Sequence, residues 1–270
     1  MAKAFSVASW NIENMGRRLD ELDHIIDFLL RPRPDIVALY EVTGKDTFEV
    51  VTQKMPDYTF HITEGPQVQE ILVGVRHGIT AFFTQKTQFK SAVPVLRPGA
   101  LLTATVAGER YSLLFLHAKS MPDPRGWGLR DDTLKRACKF RKTLDGAAGG
   151  TGKANYIFLG DLNTMGLKYP FKKSMEADFE LRKLDRQAKR RKMRRLTKDE
   201  PHTWWNGSQS KYAPADLDHV VAAQHLRFKE QGGAEVLVDG WPKEPTVGKK
   251  DAWIKKYSDH GMLYFEVQRV

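Results

Sequence analysis

Short apolar runs rich in β-branched residues recur along the whole chain, a pattern typical of β-strands. They cover residues 5–10, 35–42, 71–75, 79–84, 101–106, 111–117, 156–159, 217–221, 234–238 and 261–267. Apolar residues at three- and four-residue spacing predict a helix through Leu19, Leu22, Ile25, Ile26 and Leu29, and residues 130–144 predict another. Strands and helices mixed in this way, without a break in composition, predict one α/β domain over residues 1–270.

Composition excludes several classes of protein. Apolar residues make up 41% of the 270 residues, which is enough for a core and excludes a wholly disordered chain. No apolar run approaches the roughly 18 residues that cross a bilayer, and residues 1–10 lack the apolar stretch of a signal peptide. Cys138 is the single cysteine, so the chain forms no internal disulfide. We therefore expect a soluble, cytoplasmic protein without stable membrane insertion, and no feature of the sequence indicates an obligate protein partner.

Positive charge is concentrated in one segment, residues 182–198. The chain has a formal net charge of +10, and this segment, with ten basic residues and one acidic residue, carries +9 of it. Such a cluster favours a polyanionic partner, since neutralising several phosphates at once releases their counterions. A solvated helix face or loop is the alternative interpretation. The predicted nucleic-acid contacts are Arg186, Lys189, Arg190, Arg191, Arg194 and Arg195, with Trp204 stacking beside them.

Acidic and amide residues follow several predicted strands, where rigid backbone allows side chains to converge. Asn11 ends the first strand, and Glu41 comes near the end of the second. The run YIFLGDLN places Asp161 and Asn163 two residues apart, so in extended backbone they point to the same side. A structural interpretation without a functional site remains open for both acids. In it, Glu41 faces solvent, and Asp161 forms an Asx-type turn that caps the next helix.

Histidines beside aspartates or at strand ends form a second group. Asp218 and Asp259 each precede a histidine at the start of a later strand, and His117 ends the strand SLLFLH. An aspartate that orients an imidazole raises its basicity, as general acid–base chemistry or phosphate binding requires. A turn with a hydrogen-bonded histidine is the alternative for each pair, and a buried histidine bonded to backbone is the alternative for His117. The oxygen donors at these positions suit Mg²⁺ or Mn²⁺ better than Zn²⁺.

Six short motifs occur in one order along residues 10–261: WNIEN, YE, LHAKS, GDLN, DLDHV and SDHG. Together they resemble the endonuclease/exonuclease/phosphatase superfamily, which includes deoxyribonuclease I, exonuclease III, inositol polyphosphate 5-phosphatases and neutral sphingomyelinases. The resemblance covers essentially the whole chain. It implies a four-layered α/β sandwich of two mixed β-sheets flanked by helices, with the site where the loops of the sheets meet.

The resemblance also implies roles for the residues in these motifs. Glu41 would be the principal Mg²⁺ ligand, with Asn11 and Asp259 as further metal-site residues. Asp161 and Asn163 would orient the attacking water and hold the phosphate.

Two histidines complete the implied site. Asp218 would orient His260, which would act as general base or as an imidazolium on the scissile phosphate. His117 matches the histidine of deoxyribonuclease I, where the exonuclease III branch has a tyrosine, and Glu70 would be its carboxylate partner. Tyr40 stands where many members have glutamine, which changes no reacting group.

The resemblance does not decide the substrate, because the same site cleaves nucleic acid and phospholipid esters in different members. The charge distribution is therefore used to choose between these substrates. Cations beside aromatic residues favour nucleic acid. We therefore expect a Mg²⁺- or Mn²⁺-dependent nuclease that hydrolyses phosphodiesters, with DNA favoured over RNA. The alternative is a membrane-surface phosphoinositide phosphatase or sphingomyelinase-type phosphodiesterase, for which the basic segment offers few large apolar residues. A catalytically silent binding module is disfavoured by the full set of reactive residues.

Overall fold

The computed structural model describes residues 2–14, 22–65 and 69–269, except for the side chain of Lys45. Leu19, which the periodicity assigns to the first helix, lies outside the described residues. The strands are β1 (Lys3–Asn11), β2 (Ile36–Val42), β3 (Tyr58–Ile62), β4 (Glu70–Arg76), β5 (Thr80–Lys86), β6 (Gly99–Val106), β7 (Glu109–His117), β8 (Asn155–Asp161), β9 (Met193–Arg195), β10 (Asp218–Ala223), β11 (Leu237–Asp239) and β12 (Met262–Gln268). The α-helices are α1 (Leu22–Leu30), α2 (Lys45–Lys54), α3 (Pro124–Ala147), α4 (Ala177–Lys189) and α5 (Val247–Lys256).

The strands form two six-stranded mixed sheets. Sheet A has the order β11-β12-β1-β2-β4-β3, and sheet B has the order β5-β6-β7-β8-β10-β9. β1 runs parallel to β2, and β7 runs parallel to β8, while the other neighbouring pairs are antiparallel. The carboxyl ends of the two parallel pairs carry the polar residues of the first, second, third and fourth sequence motifs.

Three apolar layers hold the sheets and helices together. Phe5 and Val7 of β1 face the layer between the sheets, where they join Phe115 of β7. Trp10, on the opposite face of β1, packs with α1 and α5 outside sheet A. A third layer lies between sheet B and helices α3 and α4, with Leu134 among its buried residues. The order helices, sheet A, sheet B, helices confirms the predicted four-layered sandwich.

Strand alternation also places the polar strand ends. Along β7, β8 and β10 every second side chain faces the layer between the sheets. This alternation gives His117, Asp161 and Asp218, at the ends of these strands, the same orientation. Asn11 ends β1 on the same face as Phe5 and Val7. The two sheets therefore bring four chemically active side chains to one rim of the layer between them.

All ten predicted strands are present, and two further strands are found. β3 is an edge strand whose side chains are mostly half-buried, so its sequence YTFHI lacks a strong apolar pattern. β9 has only three residues and lies inside the basic segment. Among the described residues, no helix is long and apolar enough to cross a membrane.

Candidate active site

Glu41 reaches the rim between the sheets because the backbone of β2 departs from a regular strand. Simple alternation would place it with Val37 and Leu39, which face the helices outside sheet A. Its φ is +62°, and the pairing of β2 with β4 shifts register between Leu39 and Val42. Such a bulge turns a side chain to the other face of a sheet, and left-handed backbone of this kind concentrates at functional sites.

Asn11 links Glu41 to Asp161 across the two sheets. Its side-chain Nδ2 donates to Asp161 Oδ2 at 3.0 Å and lies 3.4 Å from Glu41 Oε1. Its side-chain Oδ1 accepts from the backbone N–H of Glu13 at 3.1 Å. The amide therefore holds two carboxylates close together at the centre of the site.

The GDLN motif forms a tight turn at the end of β8. The backbone N–H of Asn163 donates to Asp161 Oδ1 at 3.0 Å, which is an Asx-type turn, although no helix begins directly after it. Asn163 Nδ2 donates to the carbonyl of Ala118 at 3.1 Å. Gly160 has φ +131°, and a Cβ there would lie 2.2 Å from the carbonyl oxygen of Leu116, so only glycine fits.

Asp161 is buried among other charged groups. Burial raises the pKa of its carboxyl to about 7, His260 opposes the rise, and Asp218 and Glu41 add to it. A carboxyl whose pKa lies near neutral pH is suited to accept and release a proton during turnover.

His260 is fixed in orientation from three directions. Its Nδ1 lies 2.8 Å from Asp218 Oδ2, its backbone N–H donates to Ser258 Oγ at 3.0 Å, and its carbonyl accepts from Trp10 Nε1 at 2.8 Å. The Nε2 atom, left free for chemistry, lies 3.8 Å from Asp161 Oδ2. Burial lowers the pKa of His260, but the neighbouring carboxylates, Asp218 first, outweigh it and raise the pKa well above its ordinary value.

Asp259 and Trp204 border the same site. Trp204 Nε1 donates to Asp259 Oδ2 at 2.6 Å, and Asp259 Oδ1 lies 3.9 Å from His260 Nε2. Trp204 is therefore held at the mouth of the site by a residue that the sequence assigns to the metal.

His117 reaches the site, but among the described residues no hydrogen bond or ion pair joins it to Glu70, its predicted partner. His117 Nε2 lies 3.4 Å from Asp161 Oδ2 and 3.7 Å from Glu41 Oε1, while its Nδ1 has no hydrogen-bond partner among the described residues. Glu70 instead accepts a hydrogen bond from the hydroxyl of Thr63, on the neighbouring part of sheet A. Burial lowers the pKa of His117 well below its ordinary value, and the positive charges of Arg97, His260 and Lys119 add to this effect.

Two residues that the motifs do not reveal support Glu41. Gln69 Nε2 lies 3.3 Å from Glu41 Oε2 and donates to Asn14 Oδ1 at 2.6 Å. Arg97 in turn donates its Nε to the carbonyl of Gln69 at 2.8 Å, and its charge acts on Glu41 and Asp161. Arg97 is a single arginine in a loop between strands, so no sequence pattern distinguishes it from a surface cation.

The donor set fits a hard divalent cation. Glu41, Asp161, Asp218 and Asp259 bring four carboxylates to one rim. Burial is the main cause of the raised pKa of Asp161, and the charges of Asp218 and Glu41 add to it. Asp161, Asp218 and His260 each offer a ligand atom within 4.8 Å of the others. The hydrogen bond between Asp218 and His260 engages that pair, and Glu41, whose side chain is 18% exposed, is the most accessible of the four carboxylates.

The sequence model of the Endonuclease/Exonuclease/phosphatase family matches residues 8–260, a span that runs from before Asn11 to His260. The chain belongs to this family. Enzymes of the family hydrolyse phosphate esters. Among curated protein sequences, none matches the chain.

Solved structures share the fold of this family member at low sequence identity. Truncated TDP2 from Caenorhabditis elegans superimposes with a TM-score of 0.69 at 16% identity, covering 98% of both chains. TDP2 from D. rerio complexed with single-strand DNA product has a TM-score of 0.64 at 15% identity and covers 98% of this chain and 99% of that one. The 3′ phosphatase NExo from Neisseria bound to a product DNA hairpin has a TM-score of 0.64 at 15% identity, covering 98% and 100%.

In this family member the basic segment is only partly available to a ligand. Arg194 Nη2 donates to Glu235 Oε1 at 2.5 Å, and Arg195 donates to both carboxylate oxygens of Asp185 at 3.0 and 2.9 Å. These two arginines hold β9 to its surroundings. Both arginines are engaged in ion pairs within the protein, and their contact with nucleic acid stays a prediction.

The remaining predicted cations of the segment lie away from the site. The exposed side chains of Arg186, Lys189 and Arg190 follow α4 toward its C-terminus. Arg141 links this end of α4 to the start of β8, since it donates to the carbonyl of Lys192, after α4, and at 3.1 Å to the carbonyl of Gly152, just before β8 begins. The active site is at the other end of β8, about 20 Å of extended chain away. The structure thus brings together the predicted metal and catalytic residues other than Glu70, with Trp204 beside them, and leaves the basic face of α4 outside that group.

Proposed function

We propose that this protein is a divalent-metal-dependent nuclease that hydrolyses phosphodiester bonds in DNA. The observation that carries the proposal is the buried convergence of Glu41, Asp161 and the Asp218–His260 pair on one rim between the sheets. Mg²⁺ or Mn²⁺ as the ion, a cytoplasmic location and the absence of an obligate protein partner belong to the same proposal.

The carboxylate side of the site would hold the cation. Glu41 and Asp161 offer oxygen ligands, Asn11 fixes their separation, and Gln69 fixes the second oxygen of Glu41. The bound ion would supply a Lewis acid that draws charge from the phosphate oxygens and lowers the pKa of water. Asp259 lies farther along the rim, where its carboxylate also holds Trp204.

The chain's own groups would then move protons and neutralise charge. Asp161, at the centre of the rim, would orient the attacking water and accept its proton. His260, charged and held by Asp218, would present its Nε2 proton to the oxygen atoms of the phosphate. Asn163 closes the turn that orients Asp161.

His117 has a different place in this scheme from the one that the resemblance implies. Its Nε2 lies between the carboxylates of Glu41 and Asp161, and no carboxylate contacts its Nδ1. A neutral imidazole with its proton on Nε2 would direct that proton toward Asp161 and lie beside Glu41, which would help to position the two carboxylates.

DNA is favoured over lipid as substrate by two observations. Two of the structurally similar proteins are described with DNA bound, one with a single-strand product and one with a hairpin product. The apolar residues of the basic segment, Leu184, Met193 and Leu196, are buried in the protein, so none is free to insert into a bilayer. Arg186, Lys189, Arg190 and Arg191 would add a general attraction for a polyanion.

The test is cleavage by the purified protein with Mg²⁺, with Mn²⁺ or with chelator. Supercoiled plasmid, linear duplex, abasic duplex, single-stranded DNA, single-stranded RNA, phosphatidylinositol phosphate and sphingomyelin would be compared. We expect metal-dependent cleavage of DNA, slower cleavage of RNA and no release of phosphate or phosphocholine from the lipids. Preferred turnover of either lipid would contradict the proposal.

Glu41→Gln tests the metal site directly. A neutral amide is a weaker ligand for a hard dication, so we expect the Mg²⁺ concentration for half-maximal rate to rise at least about 10-fold. Glu230→Gln, which removes the charge of an exposed glutamate, is the matched control. An unchanged Mg²⁺ dependence in Glu41→Gln would remove Glu41 from the metal site.

A further inference from the structure

Two loops beside the active site expose aromatic side chains together with lysines. One loop, residues 165–176, follows the GDLN turn, and the other, residues 206–215, follows Trp204 and Trp205. Phe171 is 84% exposed, Tyr212 is 50% exposed and Tyr169 is 38% exposed. Large apolar side chains grouped on a surface mark an interaction site, since single exposed ones are the ordinary case.

These side chains form a continuous path from the catalytic residues. The ring of Trp204, which Asp259 holds, lies 6.4 Å from the ring of Tyr212. Lys168 Nζ lies 5.9 Å from the centre of the Tyr212 ring, and the next residue, Tyr169, lies 5.9 Å from Phe171, ring centre to ring centre. We call Trp204, Tyr212, Lys168, Tyr169 and Phe171 the aromatic track.

The first loop is anchored by a buried ion pair that the catalytic scheme does not use. Arg130 Nε lies 3.0 Å from Glu180 Oε1, and both side chains are buried. Arg130 donates at 2.8 Å to the carbonyl of Gly166, and Glu180 accepts at 2.9 Å from the N–H of the same residue. The backbone N–H of Lys168 also donates to the carbonyl of Pro122 at 2.6 Å. The exposed rings are therefore presented on a fixed loop.

Rings alternating with ammonium groups match the chemistry of an unpaired nucleic-acid strand. Each base offers a face that stacks on an aromatic ring, while the lysines attract the phosphates between bases. In a continuous duplex the base faces are already stacked on each other and do not reach the rings. Two further exposed lysines, Lys172 and Lys173, follow Phe171 and extend the positive charge along the loop.

We propose that the aromatic track binds an unpaired strand leading into the active site, so that single-stranded or frayed DNA is preferred to continuous duplex. This inference rests on the proposed nuclease function and adds the substrate class to it. The track joins the active site, which favours a strand of substrate over a membrane as its occupant.

The experiment compares Tyr212→Ala, Phe171→Ala and the double variant with Phe82→Ala. Phe82 is 71% exposed on the edge strand β5, which carries none of the proposed site residues, so it is the matched control. Binding of a short fluorescein-labelled DNA strand and of a blunt duplex is measured in chelator, where no cleavage occurs. We expect each track variant to weaken single-strand binding about 10-fold relative to duplex binding, and Phe82→Ala to change neither. Tyr212→Phe and Phe171→Tyr, which keep the ring, should retain most of the affinity.

Cleavage separates this proposal from the proposed function. In the track variants, kcat/KM on single-stranded DNA should fall relative to kcat/KM on bis(p-nitrophenyl) phosphate, which has no bases. If the track variants lose equal affinity for single strand and duplex, or lose none for either, the proposal that the aromatic track binds an unpaired strand is wrong. Loss of binding to phosphatidylserine vesicles in Phe171→Ala, with single-strand binding retained, would also overturn it and assign the loop to a membrane. If wild-type protein cleaves no phosphodiester but strand binding still depends on Tyr212 and Phe171, the nuclease proposal fails and the binding surface stands.

Discussion

His260 and Asp218 share a hydrogen bond of 2.8 Å inside the protein, and both side chains are buried. If Asp218 acts by orienting and charging His260, removing either partner should disable the same function. We expect Asp218→Asn and His260→Ala each to lower kcat about 100-fold, with little change in DNA binding. The double variant should be barely slower than either single variant, because residues that act as a unit are not additive.

Single-turnover rates and DNA binding in chelator measure the two effects separately. Thermal unfolding of each variant shows whether the buried site still folds. If the fold-reductions in kcat of the two single variants multiply in the double variant, Asp218 and His260 act independently. That result would contradict the orienting role of Asp218.

His117 gives a second prediction at this scale, because its geometry disagrees with a role as general acid. A diester with sulfur at the leaving-group bridge expels a thiolate, whose conjugate acid has a pKa of about 8.5 and hardly needs a proton. His117 Nε2 contacts Glu41 and Asp161, so we expect His117→Ala to slow the oxygen- and sulfur-bridged diesters equally, by about 10- to 100-fold. Steady-state rates on the two substrates provide the measurement.

His260→Ala serves as the comparison. It removes a contact to the phosphate and not a proton donor to the leaving group, so the sulfur-bridged diester should not restore its rate. Strong rescue of His117→Ala by the sulfur bridge would contradict this expectation and assign His117 the role of general acid to the leaving group. In that case the imidazole would have to carry a proton in the substrate complex.

At the scale of elements, Asp35 fixes the pairing of β1 with β2. Its Oδ2 accepts from the backbone N–H of Ser6 at 2.8 Å, and its carboxylate also lies 2.8 Å from Lys3 Nζ and 3.2 Å from Arg76 Nη1. The same parallel ladder places Asn11 opposite Tyr40, one residue before Glu41. The register of the metal site is therefore set at the other end of these strands.

Asp35→Asn should lower the free energy of unfolding by about 2 kcal/mol at neutral pH, since the partners of the carboxylate are charged. Burial acts to raise the pKa of Asp35, but hydrogen bonds from Lys3 and Ser6 outweigh it, and the pKa lies below its ordinary value. The ionised carboxylate therefore stabilises the fold above about pH 4, and the contribution is lost as the pH falls through the folded-state pKa. Urea unfolding at neutral pH and near pH 3 should show the difference between variant and wild type shrinking in acid.

Asp57→Asn, which neutralises an exposed aspartate near Arg76 in the same sheet, is the control and should change stability little at either pH. A constant difference between Asp35→Asn and wild type across this pH range would contradict the assignment, because the stabilisation would then not depend on the charge.

At the scale of the whole molecule, the positive charge and the catalytic residues lie at different ends of sheet B. Arg190 and Arg191 follow α4, near the start of β8, whereas Asp161 ends that strand. We expect Arg190→Gln with Arg191→Gln to leave cleavage of a short oligonucleotide unchanged. On long duplex the slope of log affinity against log salt should fall by about 0.9 for each phosphate that the variant no longer neutralises.

Arg33→Gln with Lys249→Gln removes the same charge from exposed positions outside sheet A and is the control. Weaker short-oligonucleotide binding in Arg190→Gln with Arg191→Gln would show that the basic segment contacts substrate at the active site, against its placement at the far end of β8. An unchanged slope on long duplex would mean that these cations serve another partner.

The assignment of residues 1–270 to one catalytic domain stays a prediction.

Much of the fold followed from local pattern. Short apolar runs rich in β-branched residues located ten strands, and the family resemblance that six short motifs carry implied the four-layered sandwich that is observed. β3 and β9 were missed because an exposed edge strand and a three-residue strand carry little apolar signal. Alternation also placed His117, Asp161 and Asp218 on the inner face, since a strand's side chains keep a fixed period.

The sequence by itself determined which chemical groups the strand ends carry and, through alternation, which face most of them occupy. Only the tertiary structure decided their partners: Thr63 for Glu70, Asp185 for Arg195, and Gln69 with Arg97 behind Glu41. The reason is physical. Periodicity arises from backbone geometry over a few residues, whereas an ion pair or a buried hydrogen bond depends on which distant segments the packed core brings within about 3 Å.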